Sequence, residues 1–190
     1  MVIEDTGNDI RTKIDEIIED KSQNSILGYD YEKIFNQKVT RLKKIGISVT
    51  RDNKDLPIVY PCFPSALGYM NSKVYLEKCL QDPDRFSIQS NFIVYLLSKN
   101  YLHTTPPHKN CIVLYFNNDR LQHAGTLLHN TTNPIDRLVK SRWGDFPATF
   151  THKLKHVSKK YGNIIEYYTP LALDEAEACY LEYIEVTIDQ

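Results

Sequence analysis

Apolar positions recur at helical spacing through the first half of the chain and in short continuous or alternating runs through the second. The change falls at the loop Thr104-Thr105-Pro106-Pro107. Over residues 9–21, Ile10, Ile14, Ile17 and Ile18 share one helical face beside acidic and basic residues, which predicts an amphipathic docking helix. A polar break over residues 22–28 precedes Asp30, an expected N-cap, and Tyr31, Ile34, Phe35, Val39, Leu42 and Ile45 repeat the pattern until Gly46 ends it. Lys38, Arg41, Lys43 and Lys44 read as a solvated face of this second helix rather than a phosphate-binding patch. Residues 51–55 read as a polar loop, and 56–60 as a short apolar lead-in. Proline is tolerated in a helix's first turn, so Pro64 fits a helix that starts near Cys62. Asn71 is the expected cap of a helix carrying Val74, Tyr75, Cys79 and Leu80, which Asp82-Pro83-Asp84 breaks. Ser87 begins another, with Ile88, Phe92, Tyr95 and Leu96 on its apolar side.

Past the proline loop, residues 111–116 form the continuous apolar run of a buried central strand. Asn117-Asn118-Asp119 is a turn, and residues 120–128 follow as the hairpin partner. A third strand is expected over 137–143, then a turn at Gly144-Asp145-Phe146-Pro147, a short helix over 153–160 and a fourth strand over 163–168. Residues 171–184 suit a final helix, with Asp174, Glu175 and Glu177 near its start, while 185–188 alternate as a short strand would. Helices followed by an antiparallel sheet give an α+β fold. The division this suggests is an N-terminal helical extension over 1–55 and an α+β domain over 56–190, and no internal repeat intervenes.

Composition narrows the function classes. At 190 residues, 42% hydrophobic and 25% charged, the chain is long enough for a sizeable core and unlike a disordered one. A formal net charge of −1 provides no positive field for nucleic acid or an anionic membrane. No apolar run reaches bilayer length, and residues 1–7 lack the pattern of a secretory signal, so a cytoplasmic location is the default expectation; leaderless export would leave no mark. Cys62, Cys79, Cys111 and Cys179 contain no close-spaced pair, which suits reduced core thiols.

The candidate chemistry lies in Cys62 and in Leu121-Gln122-His123-Ala124-Gly125. At a helix start, unpaired N–H groups and the helix dipole stabilise an anion, so a cysteine there is expected to be activated as a thiolate, and the same groups can hold an oxyanion. His123, on a strand after the hairpin turn, supplies a base. His103, His108, Cys111, His123 and His129 raise the alternative of zinc, but their spacing matches no tight zinc pattern, so no metal or other cofactor is expected. Trp143, the only tryptophan, beside Gly144, is a candidate to line a substrate cleft together with Tyr60, although core packing suits Trp143 as well.

A cysteine opening a helix, further helices, a hydrophobic strand and then a histidine beginning the next strand as His-Ala-Gly resembles the papain-like fold of NlpC-type peptidases and amidases. The resemblance covers about residues 60–168. Within that superfamily the chain is similar to an uncharacterised bacterial branch in Cys62 with Ala66-Leu67-Gly68, in the strand ending Leu114-Tyr115, in His123-Ala124 and in Ser141-Arg142-Trp143-Gly144. The resemblance implies Cys62 as nucleophile, His123 as general base and a polar residue on the following strand to orient the imidazole. The superfamily usually has His, Asn or Gln at that third place; residues 137–143 offer none, and Ser141 is the nearest polar equivalent, with Asp145 and His152 as alternatives. The expected function is hydrolysis of an amide bond in a peptide, a cell-wall (peptidoglycan) peptide or a protein side chain. The alternative is a catalytically inactive papain-like domain that binds a protein partner.

Overall fold

The computed structural model describes residues 10–19, 29–51, 62–143 and 148–188. Two helices lead, α1 (Ile10–Ile18) and α2 (Tyr29–Lys44). Ile14 and Ile17 of α1 and Phe35 and Leu42 of α2 are buried, as their spacing requires. Asp30 lies inside α2 rather than capping it. Gly46 follows with φ of 81°, the left-handed conformation that glycine adopts without a Cβ penalty. Lys38 departs from the solvated face expected for it. It is buried, and its ammonium donates to the Ile18 carbonyl at 3.0 Å, tying α2 to the end of α1.

Strand β1 (Ser48–Arg51) follows, where a loop beginning at Arg51 was expected. Four residues with only Val49 half-buried carry too little alternation to read as a strand. Helix α3 (Cys62–Ala66) begins at the cysteine, as Pro64 indicated. A 3₁₀ turn at Tyr69–Asn71 leads to α4 (Lys73–Gln81), whose cap is Ser72 and not Asn71: the Ser72 side chain accepts from the Tyr75 N–H. Leu80, placed on the apolar side of α4 by its spacing, is instead exposed. Asp82 ends α4 and caps α5 (Pro83–Phe86), so α6 (Ser90–Ser98) starts three residues after the expected Ser87.

The hairpin of β2 (Ile112–Asn117) and β3 (Arg120–His129) forms where the apolar run placed it, and positive φ at Asn118 and Asp119 closes a two-residue turn that matches strand twist. Next come β4 (Leu138–Arg142), β5 (Ala148–Lys153), β6 (Ile164–Tyr168) and α7 (Leu173–Ile188). Two expectations are corrected here. The helix expected over 153–160 is replaced by the end of β5, a turn and a 3₁₀ turn at Lys159–Tyr161, and residues 185–188 continue α7 instead of forming a strand. The turn expected at 144–147 lies outside the described residues.

The six strands form one antiparallel sheet in the order β1-β5-β4-β3-β2-β6. Because β1 pairs with β5, the stretch 1–55 contributes a strand to the sheet and not helices alone. Side chains alternate across the sheet and divide the core in two. Ile112, Leu114 and Ala124 pack with α3, α4, α6 and α7 on one face. Val113, Tyr115, Val139, Phe150 and Ile165 pack with α1 and α2 on the other. Gly125 lets β3 and β4 approach, since a Cβ there would lie 2.6 Å from Val139 Cγ1. Among the described residues, no helix is long and apolar enough to cross a membrane.

Candidate active site

Cys62 is the first residue of α3, which packs against β3 and β4. The backbone groups of Ala124 on β3, of Phe63 and of Cys62 itself favour the thiolate, against the larger effect of burial. The position of Ala124 follows from the register. Leu127 exchanges hydrogen bonds with the backbone of Asn110 and Cys111, so the N–H groups of Leu127, Gly125 and His123 turn toward β2 and that of Ala124 turns toward β4. Pairing of β3 with β4 stops at Gly125 opposite Ser141.

The His123 ring goes the other way. His123 is cross-strand from Tyr115, on the face covered by α1 and α2, whereas Ala124 faces Cys62. Tyr161 stacks on the imidazole with centroids 3.9 Å apart and planes 8° from parallel, and Tyr115 lies at 5.5 Å on a tilt. Nε2 is buried without a hydrogen-bond partner. The structure thus places Cys62 and the His123 ring on opposite faces of β3 and does not bring the expected pair into contact; the ring is held by aromatic contact, not by a hydrogen bond from Nε2.

Burial sets the protonation of both groups. It pushes the Cys62 thiol up to about 12, against the smaller opposing pull of those backbone groups. This corrects the expectation of a stabilised thiolate: α3 has five residues and its start is not open to water, so desolvation outweighs the end-of-helix field. Burial, followed by the nearby His152, holds His123 well below the ordinary imidazole value. Near neutral pH the pair is thiol and neutral imidazole.

Ser141, the candidate orienting residue, shares the His123 face but bonds elsewhere. Trp143 Nε1–H donates to Ser141 Oγ at 2.8 Å, and Oγ lies 2.8 Å from His152 Nε2. His152 Nδ1 is 2.8 Å from the Lys153 carbonyl, which can only accept, so Nδ1 carries the proton and Ser141 donates to Nε2. This closed chain fixes one tautomer of His152, and burial holds that ring down to about 4. His152, on β5 opposite Val139, shares a face with His123. Trp143 is buried and stacked on Phe150 at 4.4 Å, a core position. Tyr60, Gly144 and Asp145 lie outside the described residues. Among the described residues no three His, Cys, Asp or Glu side chains gather in a metal-binding group.

Comparisons of the chain with protein-family models, with curated proteins and with solved structures find no match. Tyr161 gave no sign in the sequence, and His152 stood there only as an alternative to Ser141. Tyr161 lies just past the helix expected over 153–160, and His152 meets Ser141 and Trp143 only because β5 exists.

Proposed function

We propose that the chain is a cysteine hydrolase that cleaves an amide bond in a peptide, a cell-wall peptide or a protein side chain. The observation that carries this is Cys62 at the start of α3, a helix packed against β3, the strand that carries His123. In this reading Cys62 is the nucleophile and His123 the base. His123 removes the thiol proton, a transfer that requires its ring to leave the face where Tyr161 holds it, and sulfur attacks the carbonyl carbon. The N–H groups around Cys62 offer donors to the oxyanion, and the imidazolium returns its proton to the leaving amine. Water then hydrolyses the thioester, with His123 again taking the proton. Both groups rest uncharged, so proton transfer belongs to the encounter with substrate and not to a standing ion pair. The order of Cys62, His123-Ala124 and Ser141 along the chain is that of NlpC-type papain-like enzymes, and an antiparallel sheet with helices against it suits that fold.

One observation favours the second reading, a papain-like domain that binds without catalysis: the thiol is 8% exposed and the imidazole 1%, with its ring on the far face of the strand. Turnover of a panel of peptides and cell-wall peptides by purified wild type, Cys62→Ala and His123→Ala decides between the two. The hydrolase reading expects loss of turnover in each variant, by about a hundredfold or more, with little further loss in the double variant. Activity retained in Cys62→Ala removes the covalent mechanism, and no wild-type activity across the panel leaves the binding reading.

A further inference from the structure

Helix α1 is joined to the candidate site by a chain of contacts that begins at Arg11. Arg11 is 5% exposed although it sits on an N-terminal helix. Its guanidinium donates to the carbonyls of Val157 at 3.2 Å and Ser158 at 3.1 Å, and also to that of Gly162. Asp15, one turn on, accepts the Lys159 N–H at 3.2 Å, and Lys160 pairs with Glu19 at 2.6 Å. Every partner lies in the short turn that contains Tyr161. Gly162 fixes the other end of the turn: with φ of 88°, a Cβ there would fall 2.0 Å from the Phe116 carbonyl oxygen, so the turn lies directly on β2. Several carbonyls converging on one buried guanidinium is a dense use of donors for a surface loop, and the loop's aromatic ring is the plate stacked on His123.

We propose that Tyr161 is the positioning residue for His123 and that α1, through Arg11, sets Tyr161 in place, making the N-terminal helix a working part of the site. This rests on the reading of His123 as the base. Tyr161 covers one face of the imidazole and excludes water from it, and stacking holds the ring plane where Nε2 has no hydrogen-bonding partner to do so. Loosening the Arg11 contacts frees the turn and with it the ring, although Arg11 is not itself the stacking partner.

The test is a histidine side-chain NMR titration of the full-length protein, with His123 identified by its loss in His123→Gln. Variants are Tyr161→Leu, Tyr161→Phe, Arg11→Met and the milder Asp15→Asn, each checked for a cooperative folded state. In wild type the His123 midpoint is expected well below the ordinary imidazole value, and the titration is carried down to the lowest pH at which the protein stays folded. Tyr161→Leu and Arg11→Met are expected to raise its midpoint by at least about one pH unit, Asp15→Asn to raise it less, and Tyr161→Phe to leave it in place because the plate remains. Where the wild type hydrolyses a substrate, the same two variants lower kcat with KM nearly unchanged. A His123 midpoint unmoved in folded Arg11→Met, or in Asp15→Asn where Arg11→Met does not fold, overturns the coupling; one unmoved in Tyr161→Leu overturns the positioning role. The titration needs no substrate, so absence of wild-type turnover removes the hydrolase reading while the midpoints still decide this proposal.

Discussion

Replacing Ser141 by alanine removes one oxygen that serves two buried neighbours. Trp143 Nε1–H loses its acceptor and His152 Nε2 loses its donor, both in the face of the core where Trp143, His152 and Ser141 are each at most 1% exposed. An orphaned buried polar group costs about 1–3 kcal/mol, so two cost about 2–6 kcal/mol before relaxation, and partial access of water brings the expectation to about 2–4 kcal/mol. That is a large share of a typical stability of about 5–15 kcal/mol. Urea unfolding at pH 7.5, followed by tryptophan fluorescence, measures the change through Trp143 itself. Ser98→Ala is the control: its hydroxyl also donates one hydrogen bond, to the Tyr95 carbonyl, but at an exposed position, and a loss within about 0.5 kcal/mol is expected there. Adding Trp143→Phe to Ser141→Ala removes one orphan, so the double loss is smaller than the sum of the single losses. A Ser141→Ala loss no greater than that of Ser98→Ala would refute the closed Trp143–Ser141–His152 chain.

Stability should fall as pH falls, because the unfolded His152 takes its proton near the ordinary value of 6.5 and the folded one only near 4. Above 6.5 neither state is protonated and the stability is fully present; between 6.5 and 4 the unfolded state binds the extra proton, and roughly 3 kcal/mol is lost from His152 alone. His123 is shifted in the same direction and steepens the loss, so unfolding free energies at pH 7.5, 6 and 5 check the sign. Gly162→Ala should cost more than about 3 kcal/mol, since the added Cβ meets backbone rather than a movable side chain; a variant as stable as wild type in denaturant would mean that the turn does not lie on β2. In the folded protein a small alkylating reagent should modify Cys62 at least about a hundredfold more slowly than in the denatured chain, because burial takes the thiol from 9.0 to about 12; mass-spectrometric footprinting at neutral pH reads both rates.

Long patterns were legible and short ones were not. The isoleucines of α1, the run over 111–116 and the turn at Asn118-Asp119 each repeat a local preference several times, and each element stands where its pattern indicated. Strand β1 is too short to show alternation, and β5 has a mixed composition in which Thr149, Thr151 and Lys153 hide the buried set Ala148, Phe150 and His152. Missing β5 also displaced His152 and allowed a helix to be expected over the Tyr161 turn. Cys62 and His123 were legible as a candidate pair by residue type and order. Their environment was not, since the faces of a strand and the water around a thiol depend on what packs there. A helix start suggests a stabilised anion, and only the packed structure shows burial reversing that effect.

In the proposed mechanism Cys62 attacks an acyl carbon with the help of His123. A panel of peptides and cell-wall peptides bearing an electrophilic carbonyl in place of the scissile amide, followed by intact-mass and peptide-level mass spectrometry, tests it most directly. A single adduct is expected on Cys62 of the folded wild type with at least one member of the panel, formed faster than alkylation by a small reagent, and abolished in folded His123→Gln. Adducts spread over Cys79, Cys111 and Cys179, or formed on Cys62 at the same rate without His123, would contradict it.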